Sequence, residues 1–270
     1  MQTNYIYNLE CVEGMRKHIP DNTIDLCVTS PPYNVGIGYD SIDDNLKLDD
    51  YFQFATDWLS EVYRVLKPDG RIALNVPYEV NMKQDGEHNR NMLSAEYYGL
   101  LREVGFGFAG CVDLVEKSPH KPKVSSWGSW LSASAPYIHN PKECVILGYK
   151  HQWKKFEKGK SSFPNDEEGK KSFVELTSGL WNYLNETRGL TEANFSLDIP
   201  VKAIKLMSYE NDIVLDPFMG SGTTAVAAHN LNRDYVGFEI SKHYAQIASK
   251  RIVKEKIKIE TVKKGLSFWE

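Results

Sequence analysis

No run of apolar residues in the 270-residue chain reaches the length of a membrane span, so none is expected. The opening MQTNYIYNLE has neither the basic start nor the apolar centre of a secretory signal, and export is not expected. Cysteine is scarce. Cys11, Cys27, Cys111 and Cys144 are scattered without metal-ligand spacing, which reads as four reduced thiols and no metal. Internal repeats and low-complexity tracts are also missing. Excess positive charge is lacking too, since the formal net charge is −4. That is a mild argument against nucleic acid, but local potential matters more than the total. The charge is uneven: residues 150–171 carry seven lysines against four acids.

What the chain does have is a rhythm of short apolar runs and amphipathic stretches. Strands are expected at 3–9, 23–29, 71–76, 107–115, 143–149, 213–215 and 235–239. Helices are expected at 11–19, 49–66, 94–104, 201–207, 223–230 and 244–253. Residues 81–91 read as a polar loop. Residues 150–190 interrupt the pattern with weak periodicity and scattered aromatics. Alternating strands and helices imply an α/β fold with a doubly wound, mostly parallel sheet. Ligands of such sheets bind beyond the carboxyl ends of the strands, where strand order reverses.

Two motifs sit at such strand ends, 186 positions apart. The second runs Asp216-Pro217-Phe218-Met219-Gly220-Ser221-Gly222-Thr223. Glycines after a strand let the backbone turn tightly and approach a ligand, and the helix that follows has free amides. Glu239 ends the next strand, 23 positions later. A carboxylate there can accept both ribose hydroxyls of a nucleoside. No lysine follows Gly222, which disfavours a phosphate loop. A third glycine is missing, which weakens a dinucleotide site.

The first motif is Ser30-Pro31-Pro32-Tyr33. Paired prolines stiffen the backbone and remove two amide donors. The Pro31 carbonyl and the Ser30 hydroxyl are then available acceptors. Two acceptors could hold both hydrogens of an exocyclic amine and turn its lone pair toward an electrophilic methyl group. Tyr33 could stack on a base taken out of the duplex. A strand ending in a Pro-Pro turn with a packed tyrosine is the plain alternative.

Together these motifs resemble those of the DNA amino-methyltransferases, which modify N4 of cytosine or N6 of adenine. Catalytic motif before cofactor motif resembles the circularly permuted order of their beta class. The resemblance implies a Rossmann-like methyltransferase sheet and S-adenosyl-L-methionine as cofactor. It divides the chain into a catalytic half (1–149), a small target-recognition insert (150–190) and a cofactor-binding half (191–270). Ser30, Pro31, Pro32 and Tyr33 become the catalytic group. Asp216, Pro217, Phe218, Gly220, Ser221, Gly222, Thr223 and Glu239 become cofactor residues. Asn194-Phe195-Ser196-Leu197 matches more loosely the segment over the methionine end of the cofactor and adds Phe195. Asn8-Leu9-Glu10-Cys11 resembles the segment near its adenine and adds Glu10 and Cys11, with Glu10 replacing the usual Asp.

Ser before Pro-Pro-Tyr is more typical of cytosine-N4 enzymes, and N6-adenine is the alternative. The implied partner is double-stranded DNA, with a cognate restriction endonuclease and a homodimer by family analogy, in a prokaryotic cytoplasm. Carbon-5 methylation is disfavoured, because no cysteine follows a proline. RNA or small-molecule methylation and a non-catalytic DNA-binding module are the competing classes.

Overall fold

Apolar side chains that alternate between two faces decide the architecture. In β2 (Ile24–Thr29) every residue is buried. Leu26 and Val28 join the core on one side and Cys27 the core on the other. A strand covered on both faces belongs in the interior of a parallel sheet. The computed structural model describes residues 1–37, 44–84, 87–117, 132–136, 138, 140–184 and 195–266.

Among the described residues, eight strands form one sheet. Their order is β1 (Tyr5–Tyr7), β10 (Asp234–Phe238), β9 (Ile213–Asp216), β2, β3 (Leu66–Pro77), β7 (Glu143–Tyr149), β6 (Gly107–Glu116) and β8 (Leu180–Tyr183). Every neighbouring pair is parallel except those of β7, which runs against both β3 and β6. This is the doubly wound, mostly parallel sheet expected from the sequence. Strand order reverses between β2 and β9, where Leu26 pairs with Val214 and Cys27 with Leu215. The crevice above that border is where such a sheet takes its ligand.

Helices cover both faces. On one side lie α1 (Cys11–His18), α2 (Leu48–Val65) and α3 (Leu93–Val104). Helix α2 buries Tyr51, Ala55, Trp58, Leu59, Val62 and Val65 at helical spacing, and α3 stops at Gly105, whose φ is +114°. On the other side lie α4 (Glu167–Leu176), α5 (Asp198–Met207), α6 (Thr223–Asn230) and the start of α7 (Lys242–Leu266). Helix α6 has only small residues and one valine over its first six positions, all buried, so it packs tightly between sheet and neighbours. Trp58, Tyr97 and Phe106 are fully buried; burying a large apolar side chain contributes roughly 1.5–3 kcal/mol. No helix among the described residues is long and apolar enough to cross a membrane.

Three local expectations are corrected. Residues 81–91 are not a plain loop. They fall in the hairpin of β4 (Val80–Gln84) and β5 (Glu87–Asn91), paired antiparallel; backbone pairing outweighs their polar composition. The strand expected at 71–76 begins at Leu66, because Lys67 to Gly70 leave the helix but remain extended. Residues 150–190 contain α4 and β8, and β8 extends the main sheet through β6 with Trp181 in the core. The rest of that stretch, residues 185–190, lies outside the described residues, as does Asn194.

Several lysines of 150–160 serve the fold at the sheet edge opposite the crevice. Lys150 donates to Asn22 and to the carbonyls of Arg64 and Leu66. Buried Lys155 lies 3.6 Å from both Asp25 and Asp212. Lys160 pairs with Glu210 at 3.1 Å.

Candidate active site

Above the switch point is a cavity of about 530 Å³. It spans most of the sheet, from Glu239 and Ile240 beside β10, across β9 and β2, to Asn75 on β3, Glu143 on β7 and Tyr183 on β8. Fourteen of the fifteen residues singled out from the sequence line it. The exception is Gly222. It stands at the amino end of α6 with φ +84°, and a Cβ there would meet Ala248 Cβ at 2.9 Å. Its contribution is to the turn rather than to the wall.

The two motifs are physically joined. Thr29, the residue before Ser30, donates to Asp216 Oδ1 at 2.6 Å. The same oxygen accepts from the Phe218 amide at 3.0 Å. The bond ties the end of β2 to the end of β9 and fixes how the two loops face each other. Burial raises the Asp216 carboxyl to about 6. The unfolded carboxyl has an ordinary value of 3.8, so the unfolded chain releases this proton first as pH rises. Stability from this group is therefore fully present below about 4 and lost by about 6. Asp216→Asn removes a cost on the order of 2–3 kcal/mol at neutral pH. A thermal scan of the variant is expected to show a higher Tm than the parent at pH 7.5 and a flatter pH dependence between 4 and 6. A lower Tm at pH 7.5 would show that the carboxylate's hydrogen bonds outweigh its desolvation.

Around the first motif, acceptors are left facing the cavity. Ser30 Oγ and Tyr33 Oη share a 2.6 Å hydrogen bond in which either hydroxyl can donate, and the Tyr33 hydroxyl also lies 3.3 Å from the Asn75 carbonyl. In either arrangement Ser30 Oγ keeps a lone pair for a ligand. The Pro32 carbonyl accepts from Tyr51 at 2.9 Å. No hydrogen bond from a described residue reaches the Pro31 carbonyl. Beyond the motif the chain is pinned by Asp44, whose carboxylate accepts from the amides of Asn34, Val35 and Ile37.

Around the second motif, Glu239 organises the loops. Its Oε2 accepts from the Gly220 amide and its Oε1 from the Ser241 amide, both at 2.8 Å. Burial raises its carboxyl above the ordinary value, and the two amides oppose that rise. Phe218 is wedged edge-on against Trp58, with ring centres 5.2 Å apart, which anchors the glycine turn to α2. At Gly237 a Cβ would lie 2.0 Å from Met219 Cε and 3.1 Å from the Asp216 carbonyl, so any side chain there requires the methionine tip to move. Glu10 is largely occupied: it caps α1 through the amides of Val12 and Glu13 and accepts from the Cys11 thiol. The Cys11 thiol is pushed up by burial and by Glu10. Phe195 lines the cavity beside Ser196.

Sequence reasoning missed Asn75, Glu143 and Tyr183. Asn75 Nδ2 donates to Glu143 Oε2 at 2.8 Å. Tyr183 is pushed up to about 12 by burial and by Glu143 and Glu116. A polar residue inside an otherwise apolar strand was the available signal for Asn75. Glu143 and Tyr183 gave none, because their strand positions decide where they point.

A profile described as a DNA methylase matches residues 24–250. The type II methyltransferase M.HpaI of Haemophilus parainfluenzae is 30% identical, over 88% of this chain and 71% of that protein. The type II methyltransferase M.MjaVI of Methanocaldococcus jannaschii is 35% identical, over 63% of this chain and 81% of that protein. Among solved structures, a Thermus thermophilus protein assigned as a DNA modification methylase and complexed with S-adenosyl-L-methionine superposes with a TM-score of 0.71. It is 25% identical, and the match covers 93% of each chain. The cytosine-N4-specific PvuII DNA methyltransferase shares the fold, with a TM-score of 0.69 and 20% identity over 94% of this chain and 92% of that one.

Proposed function

Since the chain belongs to the N6/N4 DNA methylase family, we propose that it transfers a methyl group from S-adenosylmethionine to the exocyclic N4 of cytosine within a short sequence of duplex DNA. The observation that carries the reading is the pair of acceptors, Ser30 Oγ and the Pro31 carbonyl, in the same cavity as the Glu239-braced glycine turn. Ser30 at the head of its motif favours cytosine over adenine.

The residues fit the cofactor. The cavity volume lies in the range of small-molecule sites, and Gly220 holds positive φ at the cavity wall, where a ligand can approach backbone. Glu239 would accept the ribose hydroxyls. Phe218, Gly220 and Ser221 would line the nucleoside, supported by Asp216, Pro217, Gly222 and Thr223, with Glu10 and Cys11 toward the adenine and Phe195 over the methionine end. When bound, the cofactor supplies an electrophilic methyl group.

The target base must leave the stack for its amine to reach the cavity. Ser30 and the Pro31 carbonyl would then hold its two N–H donors and turn the nitrogen lone pair out of the ring plane. Tyr33 would brace Ser30 and pack on the base. The lone pair forms the N–C bond as the S–C pair returns to sulfur, so no covalent bond to the protein is needed. Holding the two reactants in line supplies much of the acceleration. The type II relatives support a cognate restriction endonuclease as a functional partner.

The test is expression in a host without DNA methylation of its own. Sequencing chemistry that separates N4-methylcytosine from N6-methyladenine is expected to find N4-methylcytosine at one short motif. N6-methyladenine there would overturn the choice of base. Unmodified DNA would overturn the activity.

A further inference from the structure

Glu143 opens β7, the one strand among those described that runs against its neighbours in the sheet. Its amino end therefore lies at the same sheet edge as the carboxyl ends of β2 and β9. Glu143 pairs in register with Pro77 at the end of β3 and lines the cavity that holds Ser30. One carboxylate oxygen, Oε2, accepts from Asn75. The other, Oε1, takes no hydrogen bond from a described residue. The Asn75 carbonyl also lies 3.3 Å from the Tyr33 hydroxyl, which is hydrogen-bonded to Ser30. Glu143 and the acceptors expected to hold the amine are thus linked through two residues, at one end of one cavity.

The charges around Glu143 are unusual. The titratable groups nearest it on its face of the sheet are Glu116 on β6 and Tyr183 on β8, with Tyr33 beyond β2 lining the same cavity, while Cys144, Asp113 and Cys111 alternate to the other face. All are acids, and no described lysine or arginine forms an ion pair with Glu143. Burial, with Glu116, raises its carboxyl above the ordinary value, against the Asn75 amide. A half-buried carboxylate without a cation is costly for stability. The cost is offset when positive charge appears beside it, and methyl transfer to an amine creates such a charge.

We propose that Glu143 receives the proton that leaves the exocyclic amine, directly or through one water, and that its charge stabilises the positive charge growing on that nitrogen. The inference rests on the amino-methyltransferase reading above. The balance is simple. The nitrogen lone pair forms the N–CH3 bond, and the S–CH3 pair stays on sulfur. One N–H bond breaks, its electron pair returns to nitrogen, and its proton ends on Glu143 Oε1. The acid form later releases that proton to solvent. A raised carboxyl makes the better acceptor, as general-base behaviour requires.

Two variants separate charge from shape. E143Q keeps the size of the side chain and an oxygen for Asn75, while E143D keeps the charge. Single-turnover transfer of labelled methyl to unmethylated plasmid, at saturating cofactor and DNA, is expected to slow about a hundredfold in E143Q, within the range for lost acid–base catalysis. E143D is expected to retain at least tenfold more rate than E143Q. The parent rate should fall at acid pH with a limb that E143Q lacks. Burial raises the carboxyls of Asp216 and Glu239 as well, so a limb that persists in E143Q belongs to one of them rather than to Glu143. Cofactor-induced rise in Tm and DNA binding should stay within twofold of the parent in E143Q.

Near-parental rate in E143Q, equal losses in E143Q and E143D, a persisting acid limb, or lost binding would each overturn the assignment of Glu143. A parent protein that methylates no DNA would instead overturn the underlying activity.

Discussion

Ser30→Ala is expected to slow methyl transfer several hundredfold while leaving cofactor affinity within about twofold. The hydroxyl is held by a 2.6 Å hydrogen bond to Tyr33 at the cavity wall and keeps a lone pair for the ligand. It would gain its hydrogen bond to the amine as the nitrogen turns tetrahedral, so its loss falls on the transition state. Removing one such preorganised partner typically costs roughly 10²–10³ in rate. Tyr33→Phe keeps the ring and loses the brace, and a smaller loss of about tenfold is expected, equivalent to about 1.4 kcal/mol. Single-turnover rates and calorimetric cofactor titration measure the two quantities separately. Ser30→Ala with near-parental rate would remove the hydroxyl from the reaction. Parallel losses of rate and cofactor affinity would make its role structural.

Glu239→Ala is expected to weaken S-adenosylmethionine binding several hundredfold. The carboxylate holds the Gly220 and Ser241 amides at 2.8 Å and would add the ribose hydroxyls. Hydrogen bonds to a charged group are worth about 1.5–3 kcal/mol each, so losing the ligand's share and loosening the loop removes about 3–4 kcal/mol. Glu239→Gln, which keeps one oxygen, should lose less. Acid pH should weaken binding as the raised Glu239 carboxyl protonates, because the neutral acid is the poorer acceptor. Calorimetric titration at pH 5 and 7.5 tests all three statements. Unchanged affinity in Glu239→Ala would place the ribose elsewhere in the cavity.

Much of the site was legible because its signals are local. Ser30-Pro31-Pro32-Tyr33 announces itself by backbone chemistry: prolines cannot donate, so acceptors must follow. Asp216 to Thr223 announces itself by glycines at a strand end. Glu239 was found because its strand follows at a fixed interval. Helices α2 and α6 were placed nearly to the residue, since their apolar spacing or small-residue content is written in consecutive positions. Glu10 shows the limit. Its type and place were legible, but not that its carboxylate is largely used in capping α1.

The lysines of residues 150–160 show the same limit from another side. The family resemblance places this run in a target-recognition insert, while composition alone reads as a solvated surface. The fold places Lys150, Lys155 and Lys160 against Asn22, Asp25, Asp212 and Glu210 at the edge away from the cavity. A charge run carries no record of which sheet edge it will meet. The aromatic residues of 150–190 divided: Trp181 became core, while Trp153, Phe156 and Phe173 stayed exposed.

The sequence by itself determined the α/β class, the two motifs, their permuted order and the glycine turn after β9. These depend on propensity, periodicity and backbone chemistry over a few residues. Only the tertiary structure decided that Thr29 bridges to Asp216, that Tyr33 is hydrogen-bonded to Ser30, and that Glu143 lines the same cavity. The direction of β7 is the physical reason for the last. A strand's amino end reaches the ligand edge of a parallel sheet only if that strand runs backwards, and strand direction is settled by pairing across the sheet.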